Sequence, residues 1–340
     1  MKFMSIIATI AFLSVNSAGL ASFSRNAEAQ SKLQGAKSMQ IPVNASHLQF
    51  DSKPDAHTKV EKSFPVASVS RIRAGIEIGS IHFIPTSGDS LQIRAIRKVK
   101  GGSERERKRW LEETRVDIAS TNGELVVRDF VPKSLSDKRL EKSNFRHWLE
   151  LNIQGSARQS LNATVDAGEI EVTDMAGELM LKAGIGNVMM HNLKASGKNV
   201  TAHSDVGNIF CEGRVGELNL SCETGKIQLK EVKCDGLCAK LRSDLGEILA
   251  IFRKLPSASI IAEAQTGEVK IKLPSNAGFK LDIATQLGTV KSPWRGSLQQ
   301  KIRRDKGENF LGESLKLQVK SGGPLVKAQT SLGAITLEQN

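Results

Sequence analysis

Ten glycines in this chain share one set of neighbours, and that shared set limits the fold more than any other feature. With each glycine at position zero, offsets −7, −5, −3, +2 and +4 carry apolar or small residues, and the offsets between are mostly polar. Around Gly225 the set reads Leu218, Leu220, Cys222, Ile227 and Leu229, and around Gly267 it reads Ile260, Ala262, Ala264, Val269 and Ile271. The other members are Gly79, Gly123, Gly168, Gly186, Gly207, Gly246, Gly288 and Gly333. Apolar positions two apart are the period of a strand with one buried face, not of a helix. The glycine between the two half-patterns marks a turn that needs positive φ or has no room for a side chain.

From Gly168 to Gly288 the spacings are 18, 21, 18, 21, 21 and 21 residues. A period near 20 with two strands and two turns is one coil of a solenoid, and successive coils stack with equivalent strands paired in parallel. The expected fold is therefore all-β: a right-handed parallel β-helix, its hand taken from the crossover rule. The columns agree with a filled interior. Offset −3 stays small (Val165, Ala183, Ser204, Cys222, Ser243, Ala264, Thr285, Thr330), and offset −5 mixes alanine with leucine and isoleucine. Hydrophobic content of 39%, aromatic content of 4% and the absence of tyrosine suit such a narrow core.

The expected organisation has four parts. Residues 1–29 read as an export signal, with Lys2 before the short apolar run Ile6–Val15 and small-residue cleavage contexts at Gly19–Ala21 and Ala27–Ala29. Residues 30–63 read as a flexible polar leader. Residues 64–150 form an N-terminal β region with a short surface helix over 103–114 and a loop over 129–150 that holds a helical piece near Phe145 to Leu149. Residues 151–340 are the β-helix, with an insertion at 292–322 that contains a strand-like Leu315, Leu317 and Val319. The two irregular segments are placed as caps, because stacked coils leave open edges. No later apolar run is long enough for a membrane-spanning helix. The protein is expected to be exported, to the periplasm or beyond the cell.

The segments AQTGEVKI (264–271), CETGKIQL (222–229) and AQTSLGAITL (328–337) follow, with Lys226 and Val269 as departures, a pattern of Thr or Ser near a glycine, then an acidic or small residue and isoleucine. In these segments, and in an interrupted last coil, the chain resembles a bacterial putative-adhesin family of β-strand-repeat proteins. The resemblance covers about residues 60 to 340. It implies a β-helix and an interaction module of the cell envelope or surface, and it names no ligand.

Chemistry is sparse in the sequence. No GxSxG nucleophile elbow, HExxH pair or phosphate loop is present, and the six histidines are scattered. No catalytic, cofactor-binding or metal residue is assigned. His82 and His203 fall on outward positions and read as solvated. Outward carboxylates form columns at −2 (Asp166, Asp205, Glu223, Asp244) and +1 (Glu169, Glu247, Glu268), with Lys226 among them. A calcium ion suits such oxygens, but solvated turn residues are the preferred reading. The cysteines are Cys211, Cys222, Cys234 and Cys238. Cys211 and Cys222 sit at inward positions, and Cys234 with Cys238 offers a local disulfide in an oxidising compartment.

A net charge of +12 points to an anionic partner. The candidate anion-binding residues are Arg105, Arg107, Lys108 and Arg109, near Trp110, and the run Lys301, Arg303, Arg304 and Lys306. An acidic glycan, lipopolysaccharide or an envelope protein fits these better than nucleic acid, for which the chain has few stacking aromatics. The leading function is a non-enzymatic, adhesin-like envelope module. The alternative is a carbohydrate-active enzyme for acidic polysaccharide, using outward carboxylates such as Asp244 and Glu247.

Overall fold

Alternation along the chain produces twenty-two strands in a computed structural model that describes residues 54–132, 135, 144–294 and 312–340. Before the repeat come β1 (Ala56–Pro65), β2 (Arg71–Pro85), β3 (Ser90–Lys100), helix α1 (Glu104–Glu113), β4 (Arg115–Thr121), β5 (Glu124–Phe130), β6 (Arg146–Gly155) and β7 (Ser160–Thr173). The coils then run as pairs: β8 (Leu179–Ile185) with β9 (Val188–Ala195), β10 (Val200–Val206) with β11 (Ile209–Val215), and β12 (Leu218–Thr224) with β13 (Ile227–Cys234). Next are β14 (Cys238–Leu245) with β15 (Ile248–Lys254), β16 (Ser259–Thr266) with β17 (Val269–Leu273), and β18 (Phe279–Leu287) with β19 (Val290–Lys291). The chain closes with β20 (Ser314–Val319), β21 (Leu325–Leu332) and β22 (Ile335–Gln339).

The two strands of each coil lie on two faces. On the first face the order is β4, β5, β2, β7, β8, β10, β12, β14, β16, β21, β18, β20. On the second it is β1, β3, β6, β2, β7, β9, β11, β13, β15, β17, β22, β19. Strands β2 and β7 run through the corner and belong to both. Pairing between coils is parallel and in register, with Val200 opposite Leu218 and Leu220 opposite Leu241. The −7 residues of the stacked strands, Ile72 and then Leu161 to Leu281, are buried at 0–3% exposure, and Val116 before Gly123 is at 9%.

Nine of the ten glycines form one column at the corner. Their φ values run from 141° to 154°. A Cβ on any of them would fall 1.6–2.0 Å from a backbone oxygen of the preceding rung, so no side chain fits. Gly123 is the exception. With Asn122 at φ 52° and Gly123 at φ 77°, it makes the two-residue hairpin turn between β4 and β5. The template is met there, yet no coil is formed.

Chain order and stacking order part at both ends. The column runs Gly79, Gly168, Gly186, Gly207, Gly225, Gly246, Gly267, Gly333, Gly288, so the last coil in sequence slots in as the second-to-last rung. At the other end Leu149 occupies the place of the glycine opposite Gly79. That position lies in β6, so the helical piece expected near Phe145 to Leu149 is instead strand from Arg146. The reason is packing: Leu149, Leu151 and Ile153 alternate inward and are 0–1% exposed. Likewise β1 begins at Ala56 and pairs with β3 along its length, inside the stretch expected as leader.

Antiparallel strands close the edges. β4 covers β5 and β1 covers β3 at one end, and β20 covers β18 at the other, where Trp294 packs edge-on against Phe279 at 5.1 Å. Helix α1 starts with a capping box between Ser103 and Glu106 and buries Trp110 to 1% exposure against Val99 and Leu135. No helix of the described residues is long and apolar enough to cross a membrane.

Candidate functional site

With core and corner assigned to folding, the outer faces and the end structures are left for function. The basic segment comes first. Of the four cations on α1, Arg107 is half-buried and donates from Nη1 to the carbonyl of Gly102 at 2.8 Å and of Gly101 at 3.3 Å, with Asp55 at 3.8 Å. It holds the loop before the helix. Arg109 pairs with Glu113 at 2.6 Å, one turn on. Lys108 lies 4.0 Å from Glu112 and is 76% exposed, and Arg105 is exposed. The helix as a whole is neutral, because Glu104, Glu106, Glu112 and Glu113 match its cations. The second basic run, Lys301, Arg303, Arg304 and Lys306, lies outside the described residues.

The cations of β3 behave differently. Arg97 is 7% exposed, and its Nη1 donates to Thr114 Oγ1 at 2.6 Å. Its Nε and Asp129 Oδ1 are both buried without a hydrogen-bond partner. Burial, and then the charge of Glu77, pushes the Asp129 carboxyl up to about 6, while Arg97 pulls it down. Burial and the charge of Asp166 raise Glu77 in turn. Three carboxylates from β5, β2 and β7 thus share the corner at this end. The sequence hid this, because Asp129 falls where the template breaks.

Further along the first face, the outward columns at −4 and −2 meet in the middle rungs. Register puts His203 beside Ser221 and, on its other side, beside Lys182. His203 Nδ1 shares a hydrogen bond with Ser221 Oγ at 2.8 Å, and Nε2 one with Asp205 Oδ1 at 2.6 Å. One donor atom each from His203, Asp205 and exposed Glu223 lies within 4.8 Å of the others. His203 is therefore half-buried and doubly bonded, not freely solvated. His82 is likewise engaged, 3.0 Å from Glu171. The line Ser221–His203–Asp205 has the order of nucleophile, base and orienter. It lies on a sheet surface whose backbone amides are committed to parallel ladders, so it lacks paired backbone donors for an oxyanion.

The carboxylates considered for glycan cleavage have basic or amide partners. Asp244 accepts from Arg242 at 3.2 Å and from Gln265 at 3.3 Å, and Glu247 pairs with Lys226 at 3.0 Å. All four cysteines are free thiols. Cys234 Sγ donates to the Gly216 carbonyl at 2.9 Å, and Cys238 Sγ accepts from Ser259 Oγ at 3.2 Å, so the bridge expected between them is not formed. Burial pushes the Cys211 and Cys222 thiols up to about 12 and that of Cys234 up to about 11, leaving them protonated and inert.

No curated protein matches the chain. Among solved structures, a putative adhesin from Bacteroides fragilis NCTC 9343 is 16% identical, covers 83% of this chain and 97% of its own, and superposes with a TM-score of 0.42. A putative cell adhesion protein from Clostridium sporogenes ATCC 15579 is 12% identical, covers 84% of this chain and 100% of its own, with a TM-score of 0.25. The family model described as Toastrack DUF4097 matches residues 76–336, from within β2 to the start of β22. The chain belongs to the Toastrack DUF4097 family.

Proposed function

We propose that this protein is an exported, non-enzymatic interaction module of the cell envelope or surface, and that it holds an anionic partner such as an acidic glycan or lipopolysaccharide. The observation that carries this reading is where the positive charge resides. Of the net +12, the segments 1–53, 133–143 and 295–311 contribute +3, +2 and +3. Most of the surplus therefore belongs to sequence outside the described residues, while within the rungs cations pair with carboxylates of neighbouring coils, as Lys226 does with Glu247 and Lys270 with Glu338. Such a surplus of arginine and lysine suits a polyanion, since both side chains pair with phosphate, sulfate or carboxylate.

The test is binding of immobilised heparin and of lipopolysaccharide at low and high salt. Neutralising Lys301, Arg303, Arg304 and Lys306 to glutamine is expected to weaken binding at least tenfold and to flatten its salt dependence. The Arg105→Gln/Lys108→Gln pair is expected to weaken it severalfold with no change in stability. Arg107→Gln should instead loosen the loop before α1. Binding that is unchanged in both neutralised variants would refute the reading.

A further inference from the structure

Two in-register parallel strands set residues of the same column about 4.8 Å apart. In the −2 column that spacing brings Asp205 of β10 next to Glu223 of β12, two like charges on adjacent rungs. One rung further on, Arg242 and Gln265 relieve the charge of Asp244 in the same column. Glu223 has no ion pair or hydrogen bond among the described residues. What faces the pair is an imidazole, His203, whose Nε2 lies 2.6 Å from Asp205 Oδ1.

We infer that His203 Nε2, Asp205 and Glu223 form a site for a divalent transition metal ion of the zinc type. Three features support it. The donor atoms converge, all within 4.8 Å of one another, and among the described residues this is the one such group of three. Two other outward histidines each contact one carboxylate directly, Glu171 for His82 and Glu212 for His191, the latter shared with Lys230. The ring is also held from behind, since Nδ1 bonds Ser221 Oγ at 2.8 Å, as ligating histidines generally are. Finally, the flank is open. Position −2 of the preceding rung is Gly184, where a Cβ would come within 2.5 Å of the Asp166 carbonyl oxygen, so no side chain crowds Asp205 from that side.

The donor set selects the ion. One imidazole and two carboxylates suit zinc, cobalt or nickel, whereas calcium asks for six to eight oxygens. This narrows the calcium idea that the carboxylate column alone suggests. In the neutral tautomer whose Nε2–H donates to Asp205, Nδ1 accepts from the Ser221 hydroxyl. With metal, the proton resides on Nδ1, the Ser221 bond reverses, and the Nε2 lone pair faces the ion. Three protein ligands leave at least one position of a tetrahedral ion open to the outside. Neither α1 nor β3 takes part, so the inference stands or falls apart from the polyanion reading.

The experiment titrates the full chain with Zn2+ by calorimetry and with Co2+ by visible absorption, after treatment with a chelator. One tight equivalent is expected. His203→Ala and Glu223→Gln should each weaken it at least tenfold, Ser221→Ala should weaken it less, and His191→Ala should leave it unchanged. Because these side chains lie on the outer face, circular dichroism and thermal unfolding of the variants should match the parent. Absence of binding in the parent, or equal affinity in His203→Ala, would overturn the proposal. So would covalent labelling of Ser221 by a fluorophosphonate, which would mark the cluster as a nucleophile site.

Discussion

The middle rungs and the N-terminal end of this molecule bury their apolar residues equally well, but by different rules. Between Gly168 and Gly267 one rule suffices: strand, glycine corner, strand, connector, with every partner found one coil away. At the N-terminal end the first rung is assembled from β5 and β6, and β1, β3 and β4 pair antiparallel. Trp110 and Arg97 are buried there and Asp129 is half-buried, where no column repeats them. A repeated rung needs only neighbour contacts and yields no new chemistry. An end must stop the stack, and here it collects bulky and charged residues.

The largest test of this contrast compares two glycines that look alike in sequence. Gly246→Ala would place a methyl group 1.8 Å from the Gly225 carbonyl oxygen, with φ at 151°. No flexible side chain can yield there, so the expected loss is about 4 kcal/mol or more. Gly123→Ala meets nothing closer than Ser70 Oγ at 3.5 Å, and at φ 77° it bears only the left-handed penalty, about 1–2 kcal/mol. Urea unfolding of both variants would decide. Equal losses would mean that the corner column is not what enforces glycine.

A second test uses pH to separate the end from the middle. Asp129 has its carboxyl raised from 3.8 to about 6 in the folded protein. The folded state therefore binds the proton more tightly than the unfolded state. This group's contribution to stability is complete below pH 4 and is lost as pH rises through 6. In Asp129→Asn that dependence is removed. Its stability relative to the parent should improve by about 2–3 kcal/mol between pH 4 and pH 7. The comparison cancels any constant effect of leaving Arg97 without its counter-charge. A flat difference across this range would show that Asp129 is solvated.

How much of this was legible in the sequence follows the same divide. The coils, their inward columns and the location of α1 could be read, because period two and a fixed glycine leave few alternatives. Gly123 misled because the alternation flanking a hairpin turn is the same as that flanking a coil corner; only its partner strands differ. The insertion of β21 and β22 between older rungs could not be read either, since Gly333 fits the column equally well before or after Gly288. Of the site residues, the outward carboxylates and His203 were visible one at a time. Their meeting depends on register, which offsets Asp205 and Glu223 by 18 residues in sequence.

The smallest expected effect concerns a column that looked merely small. At −3, Ser204 donates to the Gly186 carbonyl at 2.9 Å, Cys222 to Gly207 at 3.0 Å and Ser243 to Gly225 at 3.3 Å. Near the far end Thr330 does the same for Gly267 at 3.2 Å and Thr285 for Gly333 at 2.9 Å. These residues are small because the corner is narrow, and polar because the glycine carbonyl behind them is buried. Ser204→Ala should therefore cost about 1–2 kcal/mol, the lower part of the range for orphaning a buried acceptor. The lower part is expected because Ala183 and Ala264 already occupy the same position in other rungs. Ser204→Cys should cost less than Ser204→Ala, because Cys222 shows that a thiol reaches the carbonyl. If alanine and cysteine are equally tolerated, the column is small for packing alone, and the hydrogen bonds are incidental to the stack.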